Sequence, residues 1–156
     1  MSIQQAVKSR TEEGKGDLTE RYEGVISLLR FFKRANQLYM IDRFANAPDS
    51  HTALEVIREM EAIVLRLTPT TITIDGKERK NICLHDTIRE SNDAALYRRL
   101  GAIVGKDDKG NTIYAVPCPK LPKESELEEL RKDIDSYRLK PAELAALALA
   151  TKPRTR

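Results

Sequence analysis

The sequence predicts a mainly α protein, a helical bundle with a small β part made of two hairpins. Apolar residues recur with helical spacing at both ends of the chain, whereas apolar and polar residues alternate in its middle. Turn-forming residues, Asp-Gly in one case, divide the alternating stretches. With 156 residues, of which 40% are hydrophobic, the chain is long enough to bury the core of one domain.

The N-terminal part predicts two long helices behind a flexible arm. Residues 1–17 are polar and carry two glycines, so we expect them to form the arm. A helix is predicted from near Leu18 to Ala47, after which a proline ends the apolar repeat. A capping box that begins at Thr52 starts a second helix, which runs to about Leu67 and packs antiparallel to the first.

Residues 70–122 are predicted to be a hairpin insertion. It should contain a first hairpin, a third helix and a second hairpin, in this order, at residues 71–82, 84–100 and 102–116. Asp75-Gly76 suits the type I′ turn of the first hairpin. The third helix begins between Leu84 and Ser91 and ends before a glycine.

The C-terminal part predicts two more helices after a proline-rich connector. Three prolines stiffen residues 117–122, a fourth helix is expected over residues 123–137, and Pro141 opens a fifth. Residues 18–150 then form a single domain, and residues 151–156 a basic tail. The side chains expected in the core of this domain are Phe32, Leu38, Ile41, Phe44, Ile57, Met60, Val64, Leu130, Ile134 and Leu147.

Charge and cysteine content indicate a soluble protein of the cytoplasm. The net charge is +3, and charged residues make up 33% of the chain, a content compatible with a thermophile. The basic excess falls between residues 70 and 123. Two cysteines outside any CxxC motif are expected to be free thiols. No stretch resembles a signal peptide or a membrane span, so no membrane partner is expected.

Motifs for catalysis and metal binding are scarce. The two histidines, His51 and His85, lack further ligands at the spacing that a tetrahedral metal site needs. No glycine-rich phosphate loop and no nucleophile elbow is present in the sequence. The glutamates of the fourth helix fit a solvated helix face. We therefore expect no enzyme activity, no cofactor and no metal.

Two groups of cationic residues make nucleic acid the expected ligand. Spacings of i, i+3 and i+4 place Arg30, Lys33 and Arg34 on one stripe of the first helix. A second group lies on the third helix and second hairpin and contains Arg89, Arg98, Arg99, Lys106 and Lys109. Long cationic side chains on a shared surface suit contacts to phosphates. For either group, a solvated face balanced by nearby acids is the alternative.

Two classes of nucleic-acid-binding protein fit these clusters. A helix that ends at Leu100 and leads into a hairpin with a charged tip is typical of the recognition helix and wing of a winged-helix DNA-binding regulator. The long first helices, and a hairpin where that fold has a short helix, argue against it. The other class is a structural subunit of a larger nucleoprotein machine.

A charged pair, Asp42 and Arg43, interrupts the apolar run near the end of the first helix. Adjacent helix positions point about 100° apart, so these two side chains cannot simply pair with each other. Each needs water or another partner. With the nearby Tyr39, they are predicted to be structural or interface residues.

Two segments resemble the start of the small subunit of archaeal type I-A CRISPR interference complexes (Cascade): Leu28-Leu29-Arg30-Phe31-Phe32 and Tyr39-Met40-Ile41-Asp42-Arg43-Phe44-Ala45-Asn46-Ala47. The family pattern joins a leucine-rich helix to an aromatic-x-x-Asp-Arg-apolar-Ala-x-Ala segment and a second helix. Its C-terminal order of proline-rich connector, acidic helix and Ala/Leu helix is similar to residues 116–150. The resemblance covers most of residues 25–150.

This resemblance implies a non-catalytic subunit that contacts the backbone of guide RNA and target DNA and stabilises the R-loop. Its partners would be the other subunits of the interference complex, further copies of itself, guide RNA and target DNA. In RNA-guided systems the guide reads the sequence, so the protein would contact only backbone and shape. A nucleoprotein or coat protein of an archaeal virus fits the same residues and stays an alternative.

Overall fold

The computed structural model describes residues 18–87 and 93–150. The elements in these residues are α1 (Glu23–Arg34), α2 (Leu38–Ala45), α3 (Ser50–Leu65), β1 (Thr70–Ile74), β2 (Lys77–Thr87), α4 (Asp93–Arg99), β3 (Ile103–Lys106), β4 (Thr112–Pro117), α5 (Glu124–Asp135) and α6 (Pro141–Leu149). A helical turn at residues 18–21 leads into α1. The predicted arm, the predicted basic tail and Arg89 lie outside the described residues. Within those residues, no helix is both long and apolar enough to span a bilayer.

The fold is mixed α and β, so the expectation of a mainly α bundle with only two hairpins as its β part is wrong. Helices hold 53% of the described residues and strands hold 20%. The strands form one antiparallel sheet in the order β1-β2-β4-β3, because β2 pairs with β4 and joins the two hairpins. β2 also continues through Leu84 to Thr87, where the third helix was expected to begin. Alternating polarity reveals which face a strand buries but not which distant strand it pairs with.

Both predicted hairpins are present. Asp75 and Gly76 have φ angles of 51° and 76°, and the positive φ at both central residues is what a type I′ turn requires. The second hairpin pairs β3 with β4 from Ile103–Ala115 to Lys106–Thr112. Turn chemistry is local, which is why the sequence was sufficient to locate both.

The sheet curls until its two edge strands meet. The backbone N–H of Asp75, beside β1, donates to the carbonyl of Lys106 in β3 at 2.9 Å, and the N–H of Lys106 donates to Asp75 Oδ1 at 2.8 Å. Gly105 permits this approach, since a Cβ there would lie 2.3 Å from Ile74 Cγ2. The curled face encloses a small apolar core of Ile74, Ile82, Ile113 and Ala115.

The main core lies between the helices and the other face of the sheet. The predicted core residues that are buried there are Phe32, Ile41, Phe44, Ile57, Met60, Val64, Leu130 and Ile134, with Leu147 partly buried. Leu38 was expected in the core but is 45% exposed. The cause is a break in the predicted long helix, because Asn36 has a φ of 60° and separates α1 from α2. The resulting change of direction turns Leu38 outwards.

The second predicted helix, α3, starts earlier than expected. The carboxylate of Asp49 accepts a hydrogen bond from the N–H of Thr52 at 2.8 Å and caps a helix that begins at Ser50. The capping box from Thr52 to Glu55 was therefore wrong, because both residues lie inside the helix. The backbone hydrogen bond lowers the pKa of Asp49.

The N-terminal end of α1 is fixed against the connector and α5. Gly24 lies so close to the connector that a Cβ there would be 2.4 Å from Pro122 Cα. The carboxylate of Glu126 accepts from the backbone N–H of Gly24 at 3.2 Å and of Val25 at 2.7 Å. These are N–H groups of the first turn, which have no partner within the helix. Burial raises the pKa of Glu126 in spite of these hydrogen bonds.

Candidate nucleic-acid interface

The cations of α1 lie in its last two turns. Leu28, Leu29 and Phe32 of this segment are buried in the main core. Arg30 and Lys33 are partly buried at the surface and Arg34 is exposed. The helical spacing therefore separates the apolar and cationic sides of α1, as an amphipathic helix requires.

Arg99 of α4 is a fourth cation at this end of α1. The Nη1 atom of Arg34 lies 3.9 Å from the position that a Cβ on Gly101 would take, so the C-terminal ends of α1 and α4 adjoin. Together with the end of α6, they form an open depression of about 500 Å³, which we call the basic groove. Its lining residues are Arg30, Lys33, Arg34, Asn36, Arg99, Ala148 and Ala150.

The charges in the basic groove are not compensated by the described part of the chain. None of its lining residues is an acid. Lys33 donates from Nζ to the carbonyl oxygen of Leu149 at 2.9 Å, at the negative end of the α6 dipole. Arg30, Arg34 and Arg99 make no ion pair with the described residues. Cations gathered without acids create a positive potential, so the groove is suited to anions.

A second depression, of about 240 Å³, shares Arg30 and Arg34 with the groove and extends along α1 to Lys120. Here the charge is compensated, because Lys120 Nζ lies 2.8 Å from a carboxylate oxygen of Glu23. Of these two depressions, only the groove has no acid among its lining residues.

No protein-family model matches the chain, and no curated protein matches it either. The function of the protein is therefore inferred from its own residues. The likeness of residues 25–150 to the interference-complex subunit stays a prediction.

The structure divides the second predicted group of cations. Arg98 does not line the groove; its guanidinium lies 5.7 Å from the ring centroid of Tyr114, and Nη2 donates to the Tyr114 hydroxyl at 3.4 Å. Neighbouring positions of α4 point in different directions, so Arg98 contacts the sheet while Arg99 lines the groove. On the second hairpin, Lys106 donates to Thr112 Oγ1 at 2.7 Å and Lys109 is exposed at the turn. The two arginines that end the predicted recognition helix thus lie on different surfaces, and the winged-helix interpretation stays an alternative.

Tyr39, Asp42 and Arg43 lie away from the groove lining. Arg43 Nη2 is 2.6 Å from a carboxylate oxygen of Glu59 on α3, whereas the side chain of Asp42 is exposed to solvent. Each partner of the Arg43–Glu59 pair is nearly half exposed, so the pair contributes less than about 1 kcal/mol. Tyr39 is 59% exposed. Their role at an interface stays a prediction.

The cysteines and the possible metal ligands do not form a second candidate site in the described residues. Burial raises the pKa of the Cys83 thiol to about 12 and also raises that of Cys118, which keeps both thiols protonated and unreactive near neutral pH. Among residues 18–87 and 93–150, no cluster of three His, Cys, Asp or Glu side chains has the arrangement of a metal site.

Two residues that line these depressions, Asn36 and Lys120, were not among the predicted site residues. A signal for Asn36 exists in the sequence, because asparagine tolerates the left-handed conformation that ends α1.

Proposed function

We propose that this protein binds the phosphate backbone of nucleic acid without reading its sequence, as a non-catalytic subunit of a nucleoprotein complex. The observation that carries this proposal is the basic groove. In it Arg30 and Arg34 of α1 meet Arg99 of α4, with no acid among the lining residues. Guanidinium groups present a planar fork of donors that matches phosphate oxygens.

The lining of the groove favours backbone contacts over base contacts. It contains no aromatic side chain on which a base could stack, and its only uncharged polar residue is Asn36. Phosphate contacts fix the position of a nucleic acid but carry no sequence information. Non-specific binding of this kind has dissociation constants of about 10⁻⁴–10⁻⁶ M, so a single copy binds weakly.

Weak binding by one copy suits a subunit that acts within an assembly, where neighbouring sites raise the effective concentration. The resemblance of residues 25–150 suggests the small subunit of a type I-A interference complex, with guide RNA and target DNA as ligands and the cytoplasm as location. A protein in this role holds strands that the guide has selected. It needs no catalytic group.

The salt dependence of binding tests the groove directly. We expect fluorescence anisotropy with a labelled 15-nucleotide strand of mixed sequence to give a linear fall of log K with log salt concentration. Each of Arg30→Gln, Arg34→Gln and Arg99→Gln should reduce the slope by about 0.7–0.9 if that residue contacts a phosphate. Arg58→Gln is the matched control, because it removes one positive charge from a residue of α3 that pairs with Glu124.

Equal loss of affinity in Arg58→Gln and in the groove variants would contradict the proposal, since net charge alone would then explain binding. Tight binding of one duplex sequence, near about 10⁻⁸ M, would instead support the winged-helix regulator. Purification from the native host tests the assembly. Recovery with several other proteins and a short RNA supports the interference complex, whereas recovery in a particle of this chain and a genome supports the viral alternative.

A further inference from the structure

Tyr137 combines an exposed ring with an unfavourable backbone conformation. Its side chain is 93% exposed, more than any other large apolar side chain in the described residues. Its φ is 59°, in the left-handed region that few side chains other than asparagine and aspartate adopt readily. Within the described residues, its ring makes no hydrogen bond or aromatic contact. The ring therefore makes no contact of these kinds that would stabilise the fold.

The conformation of Tyr137 is required by the way α5 ends. The N–H of Tyr137 donates to the carbonyl of Ile134 at 3.1 Å, and the N–H of Arg138 donates to the carbonyl of Asp133 at 2.9 Å. This is the hydrogen-bond pattern of a Schellman motif, in which the residue at the Tyr137 position is usually glycine.

Other helix ends in the molecule use residues that suit such a conformation. α1 ends with Asn36 at a φ of 60°, and α4 ends with Gly101 at a φ of 83°. Thr68, after α3, has a φ of 50°, and its hydroxyl donates to the nearby carbonyl of Arg66 at 3.4 Å. Only Tyr137, among these four, has neither a residue type that favours this conformation nor a side-chain hydrogen bond within the described residues. The Schellman hydrogen bonds account for the backbone conformation but not for a tyrosine at this position, where glycine would adopt it without strain, so we look for a functional reason for the ring.

Three cations lie within five residues of Tyr137 in the chain, on a segment that also carries Asp133 and Asp135, and Asp135 pairs with Arg131. Lys132, Arg138 and Lys140 make no ion pair with the described residues, whereas the neighbouring Arg131 pairs with Glu128 at 2.5 Å. An exposed ring among cations is the combination that binds single strands, because the ring stacks on a base while the cations contact the phosphates. A base within a duplex has no free face for this purpose.

We propose that Tyr137 stacks on an unpaired base, so that the nucleic acid bound by this protein is single-stranded around this residue. The proposal rests on the function proposed above and names the class of strand. Tyr137 and the basic groove lie towards opposite ends of α6, a helix of nine residues and therefore about 13 Å long. A 15-nucleotide strand is long enough to contact both, even at the 3.4 Å rise of stacked bases, which gives about 50 Å.

Tyr137→Gly removes the ring and the strain together, which keeps the test independent of folding. We expect Tyr137→Gly to raise the melting temperature by about 1–3 °C. The same variant should bind the labelled 15-nucleotide strand at least about 5-fold more weakly. Its affinity for a 15-base-pair duplex should not change. Tyr39→Ala, which removes the exposed tyrosine of α2, is the matched control and should keep the wild-type affinity for both probes.

Tyrosine fluorescence gives a second reading, because the chain has five tyrosines and no tryptophan. Stacking quenches the emission of the tyrosine involved. Tyr137→Phe should keep the affinity for the single strand within about 2-fold, since phenylalanine also stacks, but lose most of the quenching seen with the wild type.

Single-strand binding by Tyr137→Gly that equals the wild type would overturn this inference and leave the basic groove untouched. Loss of co-purifying proteins at unchanged strand affinity would also overturn it and make Tyr137 a protein contact. If the wild type binds neither probe, the function proposed above fails first, and this inference fails with it.

Discussion

The two ends of α1 differ in how their charges are compensated. At the N-terminal end, Glu126 accepts hydrogen bonds from the first turn, and Arg21, just before the helix, lies 3.2 Å from Glu129 and 3.5 Å from Asp133 of α5. At the C-terminal end, Arg30 and Arg34 face the basic groove, whose lining residues include no acid. Acidic side chains of α5 thus compensate the positive charge at the N-terminal end of α1, whereas no acid lines the groove at its C-terminal end.

This difference separates charges that belong to the fold from charges available to a ligand. The chain has 24 acidic residues, so acids were not scarce in the sequence. Other arginines form ion pairs with acidic residues: Arg58 lies 2.6 Å from Glu124, and Arg131 contacts two carboxylates. A count of arginines cannot distinguish the two kinds, but their partners can. Binding effects should therefore concentrate at the C-terminal end of α1, and stability effects at its N-terminal end.

The largest effect on stability is expected for Gly24→Ala. In an ordinary helix interior, this change stabilises by roughly 1 kcal/mol. Here the new Cβ would lie 2.4 Å from Pro122 Cα and 2.8 Å from the carbonyl carbon of Leu121, and backbone atoms cannot rotate away. We expect the free energy of unfolding, measured by urea titration, to fall by about 3 kcal/mol.

Gly110→Ala is the matched control for Gly24→Ala. Gly110 has a φ of 80° but no neighbouring atom within 4 Å of its Cβ position, so this variant reports the conformational cost alone. A smaller loss, of about 1 kcal/mol, is expected there. If Gly24→Ala raised the free energy of unfolding, α1 would not be held against the connector.

A smaller loss is expected for Tyr22→Phe, next to the compensated end. The Tyr22 hydroxyl donates to the carboxylate of Asp133, and both side chains are buried. Burial, followed by this hydrogen bond, raises the pKa of Tyr22 far above its usual value, so the hydroxyl remains a donor. Removal of the hydroxyl leaves a buried acceptor with one partner fewer, at a cost of about 2 kcal/mol.

Tyr39→Phe provides the comparison for Tyr22→Phe. The Tyr39 ring is 59% exposed, so loss of its hydroxyl should change the free energy of unfolding by less than about 0.5 kcal/mol. Equal effects of the two variants would show that the buried hydrogen bond contributes nothing.

The sequence was sufficient for the features whose causes are local. Apolar spacing predicted the helices of the main core, and Asp75-Gly76 predicted a turn that its positive φ angles confirm. The fold class was wrong because the β2–β4 pairing joins Ile82 to Pro117 across a long stretch of chain. No periodicity reports such a partner. The break at Asn36 was missed because apolar residues with helical spacing continue on both sides of it.

The candidate site was predictable in part. Helical spacing was enough to group Arg30, Lys33 and Arg34, which all line the groove. It was not enough to separate Arg98 from Arg99, because that depends on how α4 packs on β4. The sequence also gave no reason to single out Tyr137, whose interest lies in its backbone angle and its exposure.

The smallest predicted effect on stability is at the C-terminal end of α1, and it is a gain, whereas Gly24→Ala and Tyr22→Phe lose stability. Arg30 and Arg34 are like charges at i and i+4, an arrangement that destabilises a helix by about 0.2–0.5 kcal/mol. Arg30→Gln should therefore raise the free energy of unfolding by this amount at low ionic strength. The gain should disappear at about 1 M salt, where the Debye length is about 3 Å.

Arg58→Gln, which removes the partner of Glu124 at 2.6 Å, should instead lower stability by up to about 1 kcal/mol under the same low-salt conditions. A loss of stability in both variants would mean that Arg30 has a carboxylate partner in solution. The two ends of α1 would then not differ, and the groove would lose the feature that suits it to phosphate.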